Sequence, residues 1–174
     1  FIPINLTRNS INIFLDLNNF FKLFHTIFRL KPEIVINYTI KPIIYGSLVS
    51  AICGVNKIYS NITGLGSIYI FIVKSKYKNL LLPIFFLIYK ITFLFNKRIF
   101  FQNPDDLNLF VDYKVLKKNK ALLLNGSGVN LQKFQRSKNF VKKQDFIFVG
   151  RLIKDKGILI FLEACILMLK ENPS

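Results

Sequence analysis

The sequence predicts a doubly wound α/β fold, and two observations carry that expectation. Short runs rich in β-branched and aromatic residues alternate with helical patterns, and the connections between them are brief turns marked by glycine, proline or asparagine. Strands separated by helices in this way pair in parallel and are covered on both faces, and such sheets carry their sites at the carboxyl ends of the strands. With 52% hydrophobic residues in 174, the chain has ample material for a core.

The elements follow in order. From Asp16, the apolar residues Leu17, Phe20, Phe21, Phe24, Ile27 and Phe28 keep helical spacing, with Asn18, Lys22, His25 and Arg29 between them. Pro32 ends this amphipathic helix, because the residue before a proline resists helical dihedrals, and "IVINY" (Ile34 to Tyr38) is a short buried strand. A second helix follows "TIKP" and stops at Gly54, and "KIYSNI" (Lys57 to Ile62) is the next strand. The turn "TGLG" leads into a long apolar helix. A strand "RIFFQ" (Arg98 to Gln102) comes next, then a helix opened by "NPDDLNLF", then "ALLLNGSGVN" and a polar connector from Leu131 to Gln144. "DFIFVG" from Asp145 supplies a further strand and a final amphipathic helix follows it.

The formal net charge of +16 suggests a polyanion or an anionic lipid surface as partner. The lysines are scattered, and the aromatics fall in apolar runs such as "FFKLF" rather than among basic residues, which argues against nucleic acid. Cys53 and Cys165 lack metal or CxxC spacing and stand in apolar helical contexts, as reduced packing residues of a cytoplasmic protein do. Leu80 to Phe95 is almost continuously apolar, yet it is shorter than the roughly 20 residues of a span and carries Pro83 and Lys90. It is therefore open to three placements: buried, interfacial or spanning.

The chemically distinctive residues cluster after the strands. "FVGRLIKDKG" sets Gly150, Arg151 and Lys156 between a strand and a helix, a receptor suited to a diphosphate or else an ordinary loop with solvated cations. "NYTIKP" gathers Asn37, Tyr38, Thr39 and Lys41 at a strand end, a place for a ligand or else turn chemistry with one exposed lysine, and "ITGLG" offers Thr63, Gly64 and Gly66 for a close backbone approach, without the spacing of a dinucleotide fingerprint or a P-loop. "NPDD" is explained by an N-cap at Asn103, Pro104 in the first turn and acids beside it, rather than by a catalytic carboxylate pair. His25 is the sole histidine and has no acidic or cysteine cluster near it in sequence, so neither a metal site nor a Ser-His-Asp triad is expected.

In order, "KPEIVINYTIKPIIYGSLVSAICGV", "ITGLG", "FQNPDDLNLF", "LNGSGVNLQKF" and "FVGRLIKDKGI" resemble the GT-B glycosyltransferases of the family 4 group, in particular bacterial enzymes that extend polyprenyl-diphosphate-linked sugars. The resemblance covers the chain from Leu30 onward. It implies that Arg151 and Lys156, beside Gly150, bind the diphosphate of a UDP-sugar, and that Thr63 stands near the transferred sugar where many relatives carry histidine. Tyr38, Thr39, Lys41, Gly64 and Gly66 would contact acceptor or sugar. Asn130 replaces the aspartate usual in the interdomain "NGVD". The resemblance further implies retention, no metal, no cofactor beyond the donor substrate, a lipid-linked saccharide acceptor, and a peripheral place on the inner face of the plasma membrane. On it, residues 1–144 are an acceptor-side Rossmann-like domain with linker and residues 145–174 begin a nucleotide-sugar domain. The first strand would precede Phe1 and an E-x7-E motif would follow Ser174, so the fragment alone is expected to be inactive. The alternative from another class is a non-catalytic basic module that binds membrane surface or nucleic acid through charge.

Overall fold

The computed structural model describes residues 2–4, 13–135 and 146–171 of the chain, which divides into two compact units, Phe1–Val129 and Asn130–Ser174. The expected junction near Gln144 and the start of the expected strand at Asp145 lie outside the described residues.

In the first unit, α1 (Ile13–Leu30) is followed by β1 (Ile34–Tyr38), α2 (Ile40–Ile52), β2 (Lys57–Ile62), α3 (Gly66–Lys74), α4 (Lys78–Leu94), β3 (Arg98–Phe101), α5 (Pro104–Asp112) and β4 (Ala121–Leu123). The four strands form one parallel sheet in the order β1-β2-β3-β4. The α/β alternation is therefore as the sequence predicts. The expected single long helix is two, because the chain turns at Ser75–Tyr77, where the Ser75 hydroxyl accepts from the Tyr77 N–H at 3.1 Å.

The sheet differs from the expectation in one respect. Each crossover steps the same way, and since parallel crossovers are almost always right-handed, all three place their helices on one face. Burial agrees: Ile58, Ser60, Ile62, Ile99 and Phe101 on that face are closed off, whereas Ile34, Ile36 and Tyr38 on the other are half exposed. Among the described residues there is no reversal of winding, and the helices cover one face.

The core lies under α4 and α5. Phe110 is fully buried, and its ring meets Phe86, Tyr89, Phe93 and Phe101 at 5.1–5.8 Å between centroids. Burying one such ring contributes about 1.5–3 kcal/mol. α2 sits closer to the sheet because its inward residues are small: Gly46, Ser47 and Ser50 are all buried. A Cβ on Gly46 would stand 2.1 Å from Asn37 Oδ1. This approach lets Asn37 Nδ2 donate to Ser47 Oγ (3.2 Å), while Ser60 Oγ donates to Asn96 Oδ1 (2.7 Å) and Asn96 Nδ2 donates back to Ser47 Oγ (3.0 Å). β1, α2, β2 and the end of α4 are thus joined by one buried polar network.

The second unit holds Phe146–Val149, a 3-10 turn at Lys154–Lys156 and α6 (Ile158–Glu171). The expected strand is not formed in the described part, 146–149: a strand exists only as one of a hydrogen-bonded pair, and no described segment pairs with it. Phe148 alone is anchored, against Phe161 of α6 at 5.5 Å, while Ile147 and Val149 are exposed.

Gly46→Ala is expected to lower unfolding stability by about 2–3 kcal/mol through overpacking against Asn37, read as a reduced urea midpoint with unchanged slope. A midpoint equal to that of the parent protein would show that α2 is not held at this distance.

Candidate functional site

Parallel pairing brings the carboxyl ends of β1 and β2 level, with Tyr38 opposite Asn61. Two loops leave this edge. The first passes through Thr39, the N-cap of α2, whose backbone sits at φ 68°, ψ 165° and whose side chain makes no capping bond. That region is open almost only to glycine, and for a β-branched residue it costs about 1–3 kcal/mol. The second loop runs from Thr63 through Gly64 (φ 137°) to Gly66 (φ 66°), where a Cβ would lie 3.0 Å from Ile40 Cδ1 in the first turn of α2. Glycine is favoured at Gly66 by its positive φ, and the approach to Ile40 seats this loop beside the start of α2. Tyr38, Thr39, Thr63, Gly64 and Gly66 accordingly share one edge, with Tyr38 and Thr39 exposed on one loop and Thr63 exposed on the other.

Lys41 is engaged differently. Its Nζ lies 2.8 and 2.9 Å from the two carboxylate oxygens of Asp16, and both side chains are nearly buried, at 13% and 10% exposure. The Tyr45 hydroxyl donates to Asp16 Oδ2 at 3.4 Å, and burial, then the adjacent Asp16 charge, raise its phenol above the ordinary range. This cluster ties α1 to the first turns of α2. Lys41 thus fixes the loop from behind.

Sequence reasoning passed over Asn61. It is 4% exposed, lies on the sheet face opposite the helices, and its Oδ1 has no hydrogen-bond partner among the described residues. An unpaired buried acceptor costs about 1–3 kcal/mol. The visible signal was a polar amide within a strand, directly before "ITGLG".

Across the edge, Asn103 caps α5 by accepting from the Asp105 N–H at 2.8 Å, with Pro104 opening the helix, so "NPDD" is capping chemistry as expected. Burial and the neighbouring Asp105 raise the Asp106 carboxyl above its ordinary range. Gln102, at the end of β3, donates to Ser127 Oγ at 2.9 Å and holds the "NGSG" loop near that end. His25 is exposed on α1.

In the second unit, Arg151 and Lys156 are both exposed. The Lys156 N–H donates to the Ile153 carbonyl at 3.0 Å, the Gly157 N–H to the Lys154 carbonyl at 2.9 Å, and Gly157 turns the chain into α6 at φ 77°. Lys156 therefore stands on a closed turn directly before a helix N-terminus, and Arg151 precedes that turn. Gly150 is not at positive φ, and a Cβ there would meet only the ring of Phe148 at 3.4 Å, so the local backbone alone does not demand glycine.

No family model matches the chain. A similar protein is the N,N'-diacetylbacillosaminyl-diphospho-undecaprenol alpha-1,3-N-acetylgalactosaminyltransferase of Campylobacter jejuni, 27% identical over 187 aligned positions that cover 99% of this chain. The chain spans 48% of that protein's length. It is a distant relative of that glycosyltransferase type.

Two variants test the edge. Thr39→Gly should raise stability by about 1 kcal/mol, strain relief outweighing the extra freedom of the unfolded chain, as a higher melting temperature. Asp16→Ala should lower it by about 3 kcal/mol by leaving the Lys41 ammonium against a nearly buried carboxylate site that is now empty of charge, visible as a lower urea midpoint.

Proposed function

We propose that the chain belongs to a GT-B glycosyltransferase that moves a sugar from a UDP-sugar to a polyprenyl-diphosphate-linked saccharide, with residues 1–144 on the acceptor side and residues 145–174 opening the donor side. The observation that carries this reading is the distant likeness, along nearly the whole chain, to the Campylobacter enzyme, whose name gives transfer of N-acetylgalactosamine to a lipid-diphosphate-linked sugar. The parallel sheet with its polar carboxyl edge supports it, since that is where open α/β sheets hold ligands.

In this reading the bond between the anomeric carbon and the UDP oxygen breaks while an acceptor hydroxyl forms the new glycosidic bond on the same face, and the acceptor proton leaves with the diphosphate. The chain's contribution is electrostatic. The Arg151 fork and the Lys156 ammonium, beside Gly150, offset the charge growing on the departing UDP, together with the first N–H groups of α6. Arginine and lysine take the role that a divalent ion would otherwise fill, so no metal or further cofactor is invoked.

On the acceptor side, Thr63 stands near the transferred sugar, and Tyr38, Thr39, Gly64 and Gly66 form the wall against which the saccharide lies. The Tyr38 ring suits the C–H face of a pyranose. Lys41 holds this wall in place through Asp16. The site of action is the inner face of the plasma membrane.

Calorimetric titration of UDP into the protein expressed from its gene should show binding that Arg151→Ala with Lys156→Ala weakens by about 100-fold or more, two charge-assisted contacts being lost. Absence of UDP binding, or equal binding by the double variant, would sink the donor-loop assignment.

A further inference from the structure

Helix α4 is apolar on both sides. Its inner side supplies Phe85, Phe86, Tyr89 and Phe93 to the core. Its outer side presents Leu80, Ile84, Leu87, Ile88, Ile91 and Leu94, which are 42–69% exposed. At about 100° per residue these six fall within a sector of roughly 120° that contains no polar side chain. α3 adds further exposed apolar residues, Ile70, Phe71 and Val73, with Phe71 71% exposed. A helix apolar all round is ordinarily enclosed by protein or lipid. No helix among the described residues is long and apolar enough to cross a membrane, so spanning is not available to α4.

Charge identifies the occupant. Lys74, Lys76 and Lys78 are exposed at the turn between α3 and α4, Lys90 is exposed near the border of the apolar sector, and Lys97 follows the helix. Between Glu33 and Asp105 the chain has no acidic residue. Tyr77 is exposed in the same turn, with Lys76 Nζ 5.0 Å from the centre of its ring. An apolar sector edged by lysines and a tyrosine, with no carboxylate in the surrounding sequence, matches the boundary between acyl chains and anionic headgroups, where lysine stems lie along apolar surface and ammonium groups reach phosphate.

We propose that the α3–α4 hairpin is the surface by which this protein lies on an anionic phospholipid bilayer. The outer sector of α4 and Phe71 enter the upper acyl region, and the lysines contact headgroups. A lipid-linked acceptor needs a bilayer, but the proposal stands on the hairpin itself and its test uses neither donor nor acceptor, so it can fail or hold independently of the transferase reading.

The chain contains no tryptophan, so a single introduced one reports alone. In Leu87→Trp, vesicles of phosphatidylcholine with about one-third phosphatidylglycerol should shift the emission to shorter wavelength, and brominated lipid should quench it; Tyr113→Trp, just past the end of α5, should show neither. Sedimentation with the same vesicles should fall about 10-fold or more in Leu87→Glu with Ile91→Glu, two exposed positions whose replacement leaves the core intact. The parent protein should bind pure phosphatidylcholine weakly and lose part of its anionic binding between about 0.1 and 0.5 M salt. If the acidic double variant fails to fold by circular dichroism, the tryptophan reporter decides. Emission indifferent to vesicles overturns the proposal, and so does emission already shifted without lipid in step with a concentration-dependent increase in mass, which would make this face a contact between copies of the chain.

Discussion

The first unit depends on how closely α2 lies against β1 and β2. Gly46 admits Asn37 to a position that any side chain would occupy, and only at that separation can Asn37, Ser47, Ser60 and Asn96 satisfy one another away from water. A half-satisfied network of this kind would be worse than an apolar contact, so the glycine and the four polar residues stand or fall together. Asn96 carries the constraint onward. Its Nδ2 also donates to the Thr92 carbonyl at the end of α4, and Lys120 Nζ reaches the carbonyls of Phe93 (3.2 Å) and Asn96 (3.0 Å), placing a cation on the negative end of that helix dipole. The middle of α2, the end of α4 and the entry to β4 are therefore set by one chain of contacts.

From that seat follows the candidate edge. With α2 fixed against the sheet and its first turn drawn to α1 by the pair of Lys41 and Asp16, the backbone between Tyr38 and Ile40 has little room, and Thr39 is left in a conformation it would not choose. Ile40 in turn faces Gly66, where an added Cβ would lie 3.0 Å from Ile40 Cδ1. The strain at Thr39 and the unpaired acceptor at Asn61 thus occur within one or two residues of each other in strand register. Neither contributes to the stability of the edge, and both lie where a parallel sheet receives ligands.

Much of this was legible in the sequence, and what was not has physical reasons. The strands at Ile34–Tyr38 and Lys57–Ile62 are bounded by proline, glycine and polar turns on both sides, so pattern alone delimits them, and the cap at Asn103 is a local matter of three residues. The break between α3 and α4 was hidden because both helices are apolar on nearly every side, which leaves no phase to lose. Phe146–Val149 has the composition of a strand, but pairing belongs to two segments and cannot be read from one. The engagement of Lys41 by Asp16, 25 residues away in the chain, has no local signature in the sequence. Asn61 shows in the sequence only as an amide near the end of a strand, and that its acceptor lacks a partner cannot be read from one segment.

The outer side of α4 sets a different kind of problem. A soluble helix that packs one apolar side into a core gains nothing by making the other side apolar, and the core cluster around Phe110 is complete without Leu80, Leu87 or Leu94. Six such residues in one polar-free sector are an exposed patch of the kind that self-associates in water unless something covers it. The absence of any carboxylate between Glu33 and Asp105 bears on what does so, because a protein partner that used this face would ordinarily be matched by charges of both signs around its rim, whereas a phosphate-bearing lipid surface asks for cations alone. Composition bias toward lysine explains the number of cations, but it does not explain why the acids retreat from this stretch while remaining in α1, α5 and α6.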